Sequence, residues 1–144
     1  MKQLVGINNG TMIMPGVPVF PAFPDNIEVQ HTILSDMQKS ILKNREHKQT
    51  FENIVKVYKE FRNKHIKYEE RIMLDYVYIG LESHREAHNK IVEVEDSLLY
   101  FGFDKDKLEY GFRIWKLHMI TEDKMMMEYI SGAPGSFSIT DNGL

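Results

Sequence analysis

Hydrophobic residues recur at alternating steps of three and four along most of the chain, the spacing that places them on one face of an α-helix. Gly80 and Gly102 interrupt this pattern. It predicts four amphipathic helices, A to D, over about residues 26–45, 51–79, 83–101 and 104–130. The clearest inward face belongs to helix B and consists of Phe51, Ile54, Tyr58, Phe61, His65, Tyr68 and Ile72.

Residues that favour helix starts stand at the predicted boundaries. Asp25, followed three residues later by Glu28, predicts a capping box for helix A. Ser83 and Glu86 repeat that spacing before helix C, and Asp104 is placed to cap helix D. These residues set the expected start of three of the four helices.

Proline and glycine separate two flanking segments from the helical region. Residues 1–24 contain four of the five prolines, which disfavour helix, so this segment is predicted to form an extended N-terminal arm. Residues 131–144 are rich in glycine and are predicted to form a non-helical C-terminal tail. The remaining residues, 25–130, suffice for one domain and predict an all-α, up-down-up-down four-helix bundle.

Composition narrows the chemistry and the partners. The 18 basic and 21 acidic residues are spread along the chain, with no basic patch for nucleic acid or an anionic membrane. No segment approaches the 18 or so apolar residues of a membrane helix, so a cytoplasmic protein is expected. Because cysteine is absent, any metal must be held by imidazole and carboxylate ligands.

Five of the six histidines fall on the inward faces of the predicted helices, and every helix contributes at least one. A single such histidine is usually a satisfied core residue, but five converging imidazoles indicate a metal site. The sixth, His47, lies near the turn between helices A and B and is expected to be exposed. The inward-facing histidines are His31, His65, His84, His88 and His118.

The number of imidazoles favours two metal ions. Five exceed what one zinc or iron site in a bundle normally takes, whereas two ions that share carboxylates would use them all. A ferritin-like centre would need a Glu-x-x-His pair on each of two helices. Only Glu28 and His31 form such a pair, which argues against that class of oxidase.

The order and spacing of the ligands resemble hemerythrin, the non-haem di-iron oxygen-binding four-helix bundle, particularly its single-domain bacterial form, bacteriohemerythrin. The motifs are His31, His65-x3-Glu69, His84-x3-His88 and His118-x4-Asp123, and they cover about residues 25–130. The resemblance implies two oxo- or hydroxo-bridged iron ions. By motif position, one iron would be held by His84, His88 and His118, the other by His31 and His65, with Glu69 and Asp123 as bridges.

Helix geometry and the family spacing disagree about the carboxylate on helix D. Glu122 is four residues after His118 and shares its face of a regular helix, whereas Asp123, five residues on, lies about 140° around it. The resemblance favours Asp123 and leaves Glu122 as a solvated surface charge. It also suggests an apolar sleeve around the oxygen site, formed by Ile66, Leu81, Trp115 and Ile120.

The resemblance implies reversible O2 binding at an open position of the iron held by two histidines, in a carrier, storage or delivery protein rather than an enzyme. A di-iron oxygen or redox sensor with a protein partner is one alternative, although the sequence shows no partner surface. A di-iron enzyme acting on peroxide or nitric oxide is another, and a metal-free helical interaction module is the simplest. Metal content separates the last of these from the others.

Overall fold

Four helical segments pack side by side in the computed structural model, which describes residues 6–8, 11–13, 22–101 and 104–132. They are α1 (Ile27–Lys43), α2 (Lys48–Asp75), α3 (Leu81–Phe101), and a last segment of α4 (Lys105–His118), a π-helical turn (Met119–Asp123) and α5 (Lys124–Ser131). Helices α1 and α3 each contact both α2 and α4. The predicted all-α four-helix bundle is confirmed.

The predicted cap is confirmed for one helix, α4, and differs from the observed start in two others, α1 and α3. Asp104 caps α4 as predicted, with its side chain accepting hydrogen bonds from the backbone of the first turn. The cap of α1 is Asn26, whose Oδ1 accepts from the Val29 N–H at 2.9 Å. The prediction of Asp25 was wrong because its carboxylate accepts the Tyr68 hydroxyl instead. Helix α3 begins at Leu81, so the predicted cap near residue 83 was also wrong.

Part of the N-terminal arm forms a small antiparallel hairpin. Strand β1 (Gly6–Asn8) pairs with β2 (Thr11–Ile13), with Ile7 opposite Met12. Nothing in the helical pattern predicts this pairing. At the other end, α5 continues through Ser131, one residue beyond the predicted boundary, and Gly132 ends it in the left-handed conformation with φ 69°. The rest of the predicted tail, 133–144, lies outside the described residues.

The bundle interior divides into an apolar part and a polar part. The apolar core is contributed by all four segments and centres on fully buried side chains such as Leu34, Ile54 and Trp115. The polar part lies where α1 begins, α2 ends and α3 begins, and it contains most of the histidines. Among the described residues, no helix combines the length and the apolar character needed to cross a bilayer.

A second buried polar group lies farther along the bundle, between α2 and α3. The Tyr58 hydroxyl donates to Glu95 Oε2 at 2.7 Å and accepts from Gln38 Nε2 at 2.9 Å. Arg62 Nη1 donates to Glu95 Oε1 and to Asp96 Oδ1, both at 2.9 Å. Burial is the main reason that the pKa of Tyr58 is raised, so its hydroxyl keeps its proton. The inward periodicity of helix B does not predict the burial of Arg62.

Candidate metal centre

The seven predicted ligands converge in one cluster. Helix α1 supplies His31, α2 supplies His65 and Glu69, α3 supplies His84 and His88, and the last segment supplies His118 and Asp123. Their ligand atoms form two overlapping groups, in each of which all atoms lie within 4.8 Å of one another. Six of the seven side chains are buried, and His31 is partly exposed at 16%. The five histidines that helical periodicity predicts to face inward therefore lie together in the structure.

Glu69 belongs to both groups and divides its two oxygens between them. Its Oε2 lies 3.0 Å from His65 Nε2 and 3.3 Å from His31 Nε2. Its Oε1 lies 3.1 Å from His88 Nε2 and 3.4 Å from His84 Nε2. A carboxylate that faces two sets of nitrogen donors with different oxygens has the arrangement needed to bridge two cations.

Asp123 shows the same division. Its Oδ2 lies 2.9 Å from His31 Nε2, while its Oδ1 lies 2.8 Å from His84 Nε2 and 2.9 Å from His118 Nε2. The five histidines thus separate into a two-histidine group, His31 and His65, and a three-histidine group, His84, His88 and His118. The two carboxylates lie between these groups.

The π-helical turn resolves the disagreement over the carboxylate on the last segment. In a π-helix the repeating hydrogen bond spans five residues instead of four, so one turn holds an extra residue. The turn over Met119–Asp123 therefore places Asp123 on the face of His118 despite the five-residue spacing. Glu122 is displaced outward and is 48% exposed, yet its Oε1 lies 2.7 Å from His118 Nδ1. It is thus a direct partner of the histidine and not only a solvated charge.

The protonation of the rings tests whether the cluster fits a metal. A neutral imidazole carries one ring proton. In His118, Nδ1 faces the Glu122 carboxylate at 2.7 Å and Nε2 faces Asp123 Oδ1 at 2.9 Å. If Nδ1 donates outward, a neutral ring points its Nε2 lone pair at a carboxylate oxygen, which is unfavourable unless a metal ion lies between them or the ring carries a second proton. His88 lies between the Glu70 carboxylate and the cluster in the same way.

Several buried atoms of the cluster also lack a hydrogen-bond partner within the described part of the chain: His65 Nε2, His118 Nε2 and Asp123 Oδ2. His65 Nε2 is 3.0 Å from Glu69 Oε2, but the direction does not suit a hydrogen bond. Buried polar atoms without partners are costly unless their lone pairs bind something else. The donor set therefore fits a pair of metal ions with nitrogen and oxygen ligands.

The charges of the cluster shift the pKa values of its members in opposite directions. Burial opposes the charged form of His31 and His84, but hydrogen bonds and charges from Asp123 and Glu69 outweigh it and raise both pKa values to about 9. Burial alone would raise the pKa values of Glu69 and Asp123. The surrounding imidazoles outweigh that effect and hold both carboxyls well below their usual range.

Three further residues contact the outer nitrogens of His65, His88 and His118, and the predicted ligand motif does not contain them. Gln30 is fully buried, and its Oε1 accepts from His65 Nδ1 at 2.6 Å. Glu70 and Glu122 take the corresponding positions beside His88 and His118. Such partners orient the ring and leave Nε2 free to bind a metal. A sequence signal exists, since each of the three directly neighbours a predicted ligand in the chain.

The four residues predicted to form the sleeve occupy different environments. Trp115 is fully buried, with its ring centroid 6.0 Å from that of His65 and 5.7 Å from that of His118. Ile66 is half-buried against the apolar core, and Leu81 is half-buried at the start of α3. Ile120 is 59% exposed, and its assignment to the sleeve stays a prediction.

No protein-family model matches the chain, and neither a curated protein nor a solved structure matches it.

Proposed function

We propose that this chain is a non-haem di-iron protein of the hemerythrin type that binds O2 reversibly. The observation that carries the proposal is the division of both carboxylates between the two histidine groups, with Oε2 and Oδ2 toward one and Oε1 and Oδ1 toward the other. This arrangement suits two ions with unequal nitrogen counts. His31, which belongs to the two-histidine group, is the partly exposed one among these seven described residues.

The ligands themselves favour iron or a similar first-row metal. Imidazole and carboxylate together suit iron, manganese and zinc, and the lack of cysteine in the chain removes the thiolate sites that zinc often uses. A reduced iron pair supplies the two electrons that reversible O2 binding requires. The expected assignment is His84, His88 and His118 on one ion, His31 and His65 on the other, and Glu69 and Asp123 bridging.

The protein has three tasks in this function. Glu69 and Asp123 supply two negative charges that balance buried cations. The buried face of Trp115 against the ligand rings limits water near them. Two histidines on one side, against three on the other, leave one ion with fewer protein ligands and hence with room for a small molecule.

The proposal is tested by iron content together with the optical spectrum. Protein reconstituted with Fe(II) without oxygen should hold about two irons per chain. Exposure to air should produce near-ultraviolet bands of a bridged di-iron centre and a visible band, and removal of oxygen should reverse the visible change. Iron-replete protein without these bands would contradict the proposal.

The same sample separates a carrier from the alternatives. A carrier takes up one O2 per iron pair and returns it, so peroxide or nitric oxide consumption well beyond one equivalent per site would favour the enzyme. A signalling role would need a protein partner, and the proposal assigns none. The cytoplasmic location expected from the sequence is part of the proposal.

A further inference from the structure

The outer partners of the ligand histidines differ between the two groups. In the three-histidine group, two rings donate through Nδ1 to carboxylates, His118 to Glu122 at 2.7 Å and His88 to Glu70 at 3.1 Å. In the two-histidine group, His65 Nδ1 donates to the neutral amide oxygen of Gln30 at 2.6 Å. The two proposed metal positions therefore share the same two carboxylates, but they differ in the charge of the side chains that accept hydrogen bonds from the outer ring nitrogens.

This difference changes how strongly the rings bind a cation. An imidazole whose N–H donates to a carboxylate gains electron density at its other nitrogen and becomes a more basic ligand. An amide oxygen accepts the same hydrogen bond without a negative charge, so it orients His65 but raises its basicity less. Loss of such an outer carboxylate typically lowers metal affinity about 10–100-fold.

The neutral acceptor is fixed in place by its surroundings. Gln30 is fully buried, and its Nε2 donates to the Pro24 carbonyl at 2.7 Å, so its oxygen is directed to His65. The acidic acceptors are closer to the surface. Glu122 is 48% exposed, and Glu70 lies 3.6 Å from Arg85 Nε, so solvent and that guanidinium moderate their charges. Both carboxylates nevertheless stay within hydrogen-bonding distance of a ligand ring.

We propose that Glu70, Glu122 and Gln30 are positioning residues that give the two metal positions different metal affinities. Glu70 and Glu122 provide charged acceptors at one position, and Gln30 provides a neutral acceptor at the other. The three-histidine position binds its metal first and more tightly. The two-histidine position binds its metal more weakly and exchanges its ligands more readily. This suits a site where a small molecule must enter and leave. The inference rests on the proposed metal centre and extends it to three residues outside the ligand set.

Stepwise cobalt(II) binding tests the inference without any oxygen chemistry. Cobalt(II) is titrated into the metal-free full chain under nitrogen, in competition with a chromophoric chelator, and both association constants are measured. The three-histidine position is expected to bind first from its number of ligands alone, so the binding order in the wild-type protein does not test the inference. The affinities of the variants do. Glu122→Gln and Glu70→Gln should each weaken the tighter step about 10-fold or more and leave the weaker step within about two-fold.

A matched control separates the hydrogen bond from net charge. Glu86→Gln removes the same charge from an exposed position of α3, between two ligands in sequence, and should change neither step. Equal effects of Glu86→Gln and Glu122→Gln, or an unchanged tighter step in both outer-acid variants, would overturn the inference. Wild-type protein that takes up no cobalt would instead overturn the metal centre itself. Far-ultraviolet circular dichroism checks that each variant is folded.

Discussion

Asp123 lies five positions after His118, yet His118 Nε2 lies 2.9 Å from Asp123 Oδ1 on the same side of the last helical segment. A regular α-helix would turn the aspartate about 140° away and would present Glu122 instead. The π-helical turn over Met119–Asp123 reverses these roles. Asp123 lies at the centre of the cluster, and Glu122 supports the ring from outside.

Exchange of each acid for its amide should separate these roles. Asp123→Asn removes a charge shared by both histidine groups, so the chain should hold fewer than two irons even at saturating iron. Glu122→Gln keeps every direct ligand and should still reach about two irons per chain under those conditions. Iron analysis after gel filtration measures both. Full iron content in Asp123→Asn would show that this carboxylate is not a bridge.

Loss of one ligand histidine should be far more damaging than loss of a surface histidine. His88→Ala removes a fully buried ring from the three-histidine group, and the expected result is less than one tightly held iron per chain. His47→Ala changes an exposed residue at the start of α2 and should keep two. Mössbauer and optical spectra of the two variants check this. Equal iron contents would argue against the ligand assignment.

The metal-free protein should lose stability as the solution becomes alkaline. His31 and His84 have pKa values of about 9 in the folded chain, above the ordinary value of 6.5. The folded state therefore binds their protons more tightly, and this stabilisation is complete below pH 6.5 and lost as pH rises through about 9. Urea unfolding of the chelator-treated protein should show a falling free energy of unfolding between these values.

The loaded protein provides the control for that pH dependence. Metal ions replace the ring protons, so metal uptake at pH 7 should release protons, and the alkaline loss of stability should diminish. Proton release is measured with a weakly buffered indicator during cobalt(II) addition. Metal-free protein whose stability is constant or rises from pH 6.5 to 9 would contradict the expected protonation of the two rings.

The buried group around Tyr58 should contribute to stability independently of any metal. Tyr58→Phe leaves Gln38 Nε2 and Glu95 Oε2 without the hydroxyl that joins them, at a cost of about 1–3 kcal/mol. Tyr110→Phe, at a position 53% exposed, should cost little. Urea unfolding of the metal-free variants measures the difference. Equal stabilities would mean that water satisfies both groups in the variant.

Periodicity predicted the bundle because the inward faces of its helices are repetitive. Leu34, Ile54, Leu108 and Trp115 are all buried as the steps of three and four require. The same logic placed five histidines in one interior. It did not predict the burial of Arg62 and Glu95, because charged residues are normally exposed and their pairing depends on two helices meeting at that level.

Local signals at the helix starts were less reliable. Asp25 and Asn26 are both good caps, and the choice between them depended on Tyr68, which is distant in sequence and takes the Asp25 carboxylate. The hairpin had a usable signal in Asn9-Gly10, a dipeptide typical of tight hairpins, between the residues that form β1 and β2.

The inward position of Asp123, the proposed bridging ligand, could not be obtained from helix geometry. A π-helical turn has no strong sequence signature, and Asp123 was expected only through the resemblance to hemerythrin. Gln30, Glu70 and Glu122 each neighbour a predicted ligand in the chain, but the ring that each one contacts depends on ring orientation, which no helical pattern specifies.

The π-helical turn also changes the phase of everything that follows it. Two regular turns after His118 would bring Met125 inward, but Met125 is 60% exposed and Met126 is fully buried. The extra residue thus behaves as a one-residue insertion, which rotates α5 by about 100° relative to α4. Removal of one residue between His118 and Asp123 would restore a regular helix with the aspartate and the buried methionine both still facing inward. The single extra residue thus shifts a candidate metal ligand, Asp123, and a core side chain, Met126, by the same rotation.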